Sequence, residues 1–371
     1  MSVLEPTTET GTAVDHGDPT RVPSRPALRL GPVSLVLRPH MIVVNIVLAV
    51  VLFLLVCVGI GRGDFPLSVL EVTNVLFGGG SKVQRFIVMD LRLPRALTAV
   101  LIGVALGISG AITQSIARNS LASPDILGIT SGASAAAVAL IVLGGGGSFV
   151  GLLATLGIPL AALLGGLLTA AVIYLLAWRK GVEGYRLILI GIGVNAMLIA
   201  ITSWLLISAD INDVSRAKVW LNGSLNGAGW TQVWPVAIAL VVIGGWAVVS
   251  TFTLGALRLG DDNARSLGVR QQSEQAKLLL ASVILAAIAT AAAGPVGFVA
   301  LAAPQVAMRL VRSAGPPIIA SALTGAVLVV GSDILARTIL PVELPVGIVT
   351  SALGGPFLLF LLVRNNRKVS A

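Results

Sequence analysis

The sequence predicts an all-α polytopic membrane protein of about ten transmembrane helices, and three observations predict it. Of 371 residues, 56% are hydrophobic and only 11% are charged, where a soluble domain carries roughly 25% charge. Mean hydropathy is +0.97. The apolar runs continue for about 20 residues without alternating, which is the pattern of spanning helices and not of a barrel.

Residues 1–40 are polar, rich in Pro, Thr, Gly and Arg, and lack an apolar period. They read as a disordered cytosolic N-terminal extension. The apolar run after His40 begins too late and runs too long for a signal peptide. Residues 41–371 read as one transmembrane domain. Spans are expected at Met41–Ile60, Leu97–Ala117, Ile126–Leu143, Val150–Ala177, Leu187–Ser208, Val233–Thr253, Lys277–Ala293, Val296–Val311, Pro317–Ile334 and Val346–Val363. Between the first two lies a mixed loop with a short amphipathic piece near Leu67–Phe77. Gly103, Gly107 and Gly110 in the second span are spaced to let another helix backbone approach closely.

An even number of spans puts both termini on one side, and charge decides which. If the termini are cytosolic, the other face holds Arg62, Lys82, Arg85, Arg92, Arg95, Arg216, Lys218 and Arg337, and the cytosolic face the other 17 of 25 Lys and Arg. The positive-inside rule then places both termini in the cytosol. The net charge of +9 is explained by these membrane-face residues, not by nucleic acid. Arg92, Arg95 and Arg337 are the exceptions, basic residues at span ends on the outer face. One arginine there can anchor a helix end by snorkelling. Two locked around Pro94 point instead to a docking surface for an acidic partner.

The chemistry that is missing narrows the function. No G-x-x-x-x-G-K-[ST] phosphate loop occurs, so no P-loop ATPase site is expected in this chain. Cys57 stands alone in an apolar run, and His16 and His40 both precede the first span. No metal site, resident cofactor or catalytic set is expected. A proton-driven carrier usually needs an intramembrane carboxylate or histidine. Here Asp125 and Asp333 lie at span ends, where capping or interfacial hydrogen bonding accounts for them. Transport energy is therefore expected from another subunit.

Within residues 258–276, the longest charged stretch between spans, Leu259–Val269 fits a short cytosolic helix capped by Asp261 or Asp262 and ended by Gly268. A solvated loop is the alternative. Gly294-Pro295-Val296-Gly297-Phe298 and Pro304-Gln305 break the membrane helix twice, and broken helices belong against protein or a water-filled path. Gln114 and Asn195 are intramembrane amides that serve either as interhelical glue or as pathway groups.

Several of these stretches together carry a resemblance. R-L-P-R at Arg92–Arg95, Q-x-x-x-x-N-x-L-A-x-P-D-x-L-G from Gln114, and W-L-N-G-S at Trp220–Ser224 come first. A-R-S-L-G-V at Ala264–Val269, G-P-V-G-F at Gly294–Phe298, and D-x-L-A-R…E-L-P-V-G-I-V-T from Asp333 follow in order. The chain resembles the permease family of ABC importers for ferric siderophores, haem and vitamin B12, over about three quarters of its length. Residues 1–40 lie outside the resemblance. Two positions depart from the family pattern: Ser120 stands where N-P-L-A is common, and Pro304-Gln305-Val306-Ala307-Met308 where P-H-I-A-R is common. A-P-Q together with E-L-P-V-G-I-V-T resembles the ferric-enterobactin branch, whose pore pairs two different permeases.

The resemblance implies a type II ABC importer permease in the cytoplasmic membrane, working with a second permease subunit, P-loop ATPase subunits that use the ATP, and an extracytoplasmic substrate-binding protein. Ala264, Arg265, Ser266, Leu267 and Gly268 would form the helix that couples to the ATPase. Arg92, Arg95 and Arg337 would meet acidic residues of the binding protein. Gln114, Asn119, Asn195, Pro295, Pro304 and Gln305 would line or pack behind the pathway. The cargo would be a ferric siderophore, with a catecholate favoured by the branch. Haem or vitamin B12 carried by the same machine is the nearest alternative, and a secondary transporter the more distant one.

Overall fold

The computed structural model describes residues 27–30, 33–36, 38–63, 65–144, 148–177, 184–339 and 342–369. The chain divides into two compact units, 1–42 and 43–371. In the first unit Ala27–Leu30 (β1) pairs antiparallel with Val33–Val36 (β2), Leu28 opposite Leu35 and Leu30 opposite Val33. Sequence reading expects no element here, because four-residue strands are too short to register as a period. Residues 1–26 lie outside the described residues.

The remaining elements among the described residues are all helices. α1 is Pro39–Gly61 and α2 is Val69–Leu76. α2 is the expected amphipathic piece, and its start is set by a capping box in which Ser68 and Glu71 satisfy each other's backbone N–H groups. Ser81 and Gln84 make the same box for α3, Lys82–Arg85. α3 runs through a π-helical stretch, Phe86–Arg92, into α4, Leu93–Ala117, as one 36-residue helix. The hydrogen-bond ladder changes where Pro94 has no N–H to offer the carbonyl of Asp90.

After α4, a 3₁₀ turn at Pro124–Leu127 leads to α5, Ile129–Leu143. α6, Ser148–Ala177, is broken at Gly157 (φ 80°) ahead of Pro159, so the spanning part of the fourth segment begins at Gly157, later than the sequence predicts. α7 is Gly184–Ile207 and α8 Ile211–Leu221. α9, Trp230–Ala239, passes through a π-helical stretch, Leu240–Gly244, into α10, Gly245–Val249. Then come α11 (Thr251–Arg258), α12 (Asp261–Ser266), α13 (Gln271–Ala293), α14 (Val299–Val311), α15 (Ile318–Thr338) and α16 (Val346–Val369). Among the described residues seven helices are long and apolar enough to cross a membrane, and α5, α14 and the first part of α16 are three shorter apolar helices.

α4 is the centre. In the helix that contains it, 78% of the most apolar window is buried, against 6% in α1. The expected close approaches are made to α15 and α14. A Cβ at Gly103 would lie 2.5 Å from Ala326 Cα, and one at Gly107 2.2 Å from the Ser321 carbonyl oxygen. At Gly110 a Cβ would lie 1.8 Å from the carbonyl oxygen of Ala300. That oxygen is the one Pro304 leaves without a donor in α14, because proline has no N–H. The second break expected from the sequence, at Pro304-Gln305, is not made: α14 runs through Pro304 as one helix that lacks a single ladder bond, and the unpaired carbonyl is packed against the bare backbone of α4 at Gly110. α4 is also tied to α13 by buried hydroxyls: Ser109 Oγ donates to the Ser282 carbonyl at 2.7 Å, and Thr113 Oγ1 lies 2.7 Å from Ser282 Oγ.

Candidate functional site

The candidate residues gather at the two ends of the helices. At one end Arg92, Arg95 and Arg337 form a single cluster around α1, α4 and α15. Arg92 Nη1 donates to the Ile60 carbonyl at 2.8 Å, and Arg337 Nη2 to the Gly59 carbonyl at 3.3 Å. Both therefore neutralise the negative C-terminal end of α1. Arg95 and Arg337 share one carboxylate: Asp333 Oδ1 accepts from Arg95 Nε (3.2 Å) and Nη2 (2.9 Å), and Oδ2 accepts from Arg337 Nη2 (2.9 Å). The side chain of Asp333 is 5% exposed and those of both arginines 16%. Glu343, in the loop before α16, places Oε2 3.4 Å from Arg95 Nη1.

Sequence reading groups the three arginines but treats Asp333 as a helix-end residue and Glu343 only as part of a motif. Asp333 and Arg337 stand four apart on one helix, the spacing at which opposite charges meet. That signal identifies half of the cluster. Its other half, Arg95, arrives from 238 residues away and leaves no local trace.

At the same end three distant motifs meet backbone to backbone. Gly223 (φ 65°) has no room for a Cβ, which would lie 2.0 Å from the Pro295 carbonyl oxygen. A Cβ at Gly347 would lie 2.3 Å from the Asn222 carbonyl oxygen. Ser224 N–H donates to Ala293 (2.8 Å) and Gly347 N–H to Gly223 (3.1 Å). The break at Pro295 is therefore set against protein, which supplies partners for backbone that leaves its helix.

At the opposite end, Gln114 of α4 and Gln305 of α14 are buried and paired. Gln305 Nε2 donates to Gln114 Oε1 at 2.7 Å, and Gln114 Nε2 donates to the Leu301 carbonyl at 3.0 Å. Beside them opens a cavity of about 270 Å³ lined by Gln114, Asn119, Gln305, Arg118 and Arg258 among others. Arg118, in left-handed conformation (φ 48°) at the end of α4, donates to the Leu257 carbonyl at 2.9 Å. Arg258 rests on Gly315, and burial lowers its guanidinium pKa from the ordinary value. Asn119 caps its own turn, accepting the Leu121 N–H at 2.9 Å. Gln114, Asn119 and Gln305 are thus brought together. Asn195 is not among them: it accepts a hydrogen bond from Ser131 between α7 and α5.

α12 is the short helix expected in 258–276. Its N-cap is Gly260 (φ 105°), with no side-chain cap, one residue before Asp261 and two before Asp262, the two caps expected. Asp262 falls in the first turn, where a negative charge suits the helix dipole. Gly268 (φ 79°) ends it as expected: its N–H donates to Arg265 and that of Val269 to Ala264, the paired bonds of a Schellman cap. Ala264 is fully buried, whereas Leu267 is 51% exposed. Arg265, Ser266 and Gly268 are exposed beside it. The helix is anchored by one small side chain and turns a cation and a leucine outward.

Together, the fold and these two ends describe a polytopic helical membrane protein. Residues 49–364 match the FecCD transport family. The achromobactin transport system permease protein CbrC of Dickeya dadantii is 44% identical over 324 residues, 85% of this chain and 90% of that one. The ferric enterobactin transport system permease protein FepG of Escherichia coli is 40% identical over 312 residues, 84% and 92%. The iron(3+)-hydroxamate import system permease protein FhuG of Bacillus subtilis is 39% identical over 327 residues, 86% and 97%. A solved metal-chelate type ABC transporter in an inward-facing conformation superposes with a TM-score of 0.75 at 26% identity, over 86% of this chain and 99% of that one. The chain belongs to the FecCD transport family.

Proposed function

We propose that this chain is the membrane subunit of an ATP-driven importer that moves a ferric siderophore across the cytoplasmic membrane, with a catecholate as cargo. The observation that carries this reading is the match, over nearly the whole chain, to permeases of siderophore systems. FepG, the ferric enterobactin relative, supports the catecholate, as do Ala303-Pro304-Gln305 and the Glu343–Thr350 motif. CbrC and FhuG, at similar identity, bear the names of an achromobactin system and a hydroxamate system. The cargo class is therefore decided by transport and not by likeness.

In this reading both termini face the cytosol and the Arg92 end of the helices faces outward. A substrate-binding protein docks its acidic residues on Arg92, Arg95 and Arg337. A second permease subunit completes the pore, and α12 seats Arg265 and Leu267 in an ATPase subunit, whose ATP cycle moves the helices. Iron stays in its chelator throughout, so the chain needs no metal ligands of its own. Purification of the tagged chain from its native membrane should bring down a P-loop ATPase, and uptake should stop when that ATPase is inactivated. Uptake that persists without any ATPase would overturn the reading.

A further inference from the structure

We propose that Glu343 is a built-in occupant of the Arg95 docking position, a carboxylate of this chain that an acidic partner displaces when it docks. The inference rests on the docking role given to the arginine cluster above and specifies how that cluster is regulated.

The two carboxylates on Arg95 are not equivalent. Asp333 takes both Nε and Nη2, is 5% exposed, and is held a second time by Arg337. It lies between two packed helices and is a permanent counterion. Glu343 meets the remaining nitrogen, Nη1, at 3.4 Å and is 49% exposed on a loop. Among the described residues it has no further hydrogen bond or ion pair. Arg95 is itself 16% exposed, so the edge that Glu343 covers is the edge an outside carboxylate must reach. Two cations share Asp333, so the cluster stays attractive to a further anion once Glu343 leaves. Nothing else has to break for the exchange to occur. A partner bearing a carboxylate therefore replaces one anion by another on a guanidinium already oriented by Asp333. A neutral or basic partner finds the position taken.

The test uses the full chain assembled in lipid nanodiscs with its co-purifying subunits. Exposed ion pairs of this kind correspond to a factor of about 1.4 to 5 in an equilibrium constant. Glu343→Gln should therefore tighten docking of the substrate-binding protein by about 1.4- to fivefold. A purely structural role for Glu343 predicts weaker or unchanged docking. Asp90→Asn removes an exposed carboxylate from the π-helical stretch ahead of α4 and reports the general gain from lost negative charge. Measured at physiological ionic strength, where screening reaches about 8 Å, its effect should be smaller. An equal gain in both variants overturns the inference. Phenylglyoxal labelling of Arg95, read by mass spectrometry without any partner, should be faster in Glu343→Gln and unchanged in Asp90→Asn. Unchanged labelling in Glu343→Gln overturns the inference as well. If Arg95→Gln leaves docking unaltered, it is the docking reading that fails, and the labelling result still decides whether Glu343 covers Arg95.

Discussion

Asp333→Asn isolates the contribution of the arginine cluster to the fold. Asparagine keeps the shape and one acceptor oxygen but removes the charge. The three contacts at 2.9–3.2 Å lose their ionic character. Arg95 and Arg337, both 16% exposed, are left as neighbouring cations without a shared anion. Removing one member of a buried ion pair costs about 3–5 kcal/mol, because the partner stays desolvated. The residual exposure of the arginines puts the expected loss near the lower end, about 3 kcal/mol. Glu343→Gln, on the exposed side of the same guanidinium, should cost about 0.2–1 kcal/mol. The assay is the unfolding free energy in mixed micelles, extended to a cycle of Asp333→Asn with Arg337→Gln. The double variant should lose less than the sum of the singles, since removing Arg337 relieves the repulsion that Asp333→Asn creates. An Asp333→Asn variant as stable as Glu343→Gln would refute the argument that this carboxylate holds α4 to α15.

Further outcomes follow from the packing and from α12. Gly110→Ala should cost about 3 kcal/mol, because the new methyl meets a backbone carbonyl that cannot turn away. Gly255→Ala, in open space on α11, should be neutral or stabilising by up to about 1 kcal/mol in the same unfolding assay. Gln305→Leu strands Gln114 Oε1 in the interior and should cost about 1–3 kcal/mol. The Gln114→Leu, Gln305→Leu pair should recover part of that loss, and strict additivity would show that the two amides do not depend on each other. Arg265→Glu or Leu267→Asp on the exposed face of α12 should leave the melting temperature unchanged while separating ATP hydrolysis from uptake. Intact coupling in both variants would remove α12 from the ATPase contact.

Class and helix order were legible in the sequence because long apolar runs and small-residue spacings are local signals. The Gly103, Gly107 and Gly110 row announced a close helix approach without naming the partner, since α15 and α14 lie about two hundred residues further on. Gly268 announces the end of α12 because a left-handed cap needs glycine, but the start lies one or two residues before the expected aspartates, where Gly260 takes the cap. The break at Gly157 was hidden inside a continuous apolar run, where hydropathy carries no record of φ. Asp333 was visible as a charge and invisible as a hub, because its second arginine comes from another helix. Glu343, Gly223 and Pro295 belong to motifs legible as strings. Only the folded chain shows that Gly223, Pro295 and Gly347 share one backbone junction.

The central claim is tested most directly by uptake of radiolabelled iron in cells lacking this chain and in complemented cells, with the iron offered as a catecholate and as a hydroxamate chelate. The account predicts that catecholate uptake is lost, that the intact chain restores it, and that restoration requires an active ATPase subunit. Uptake of every ferric chelate at the same rate with and without the chain would contradict it, and haem and vitamin B12 would become the cargoes to test.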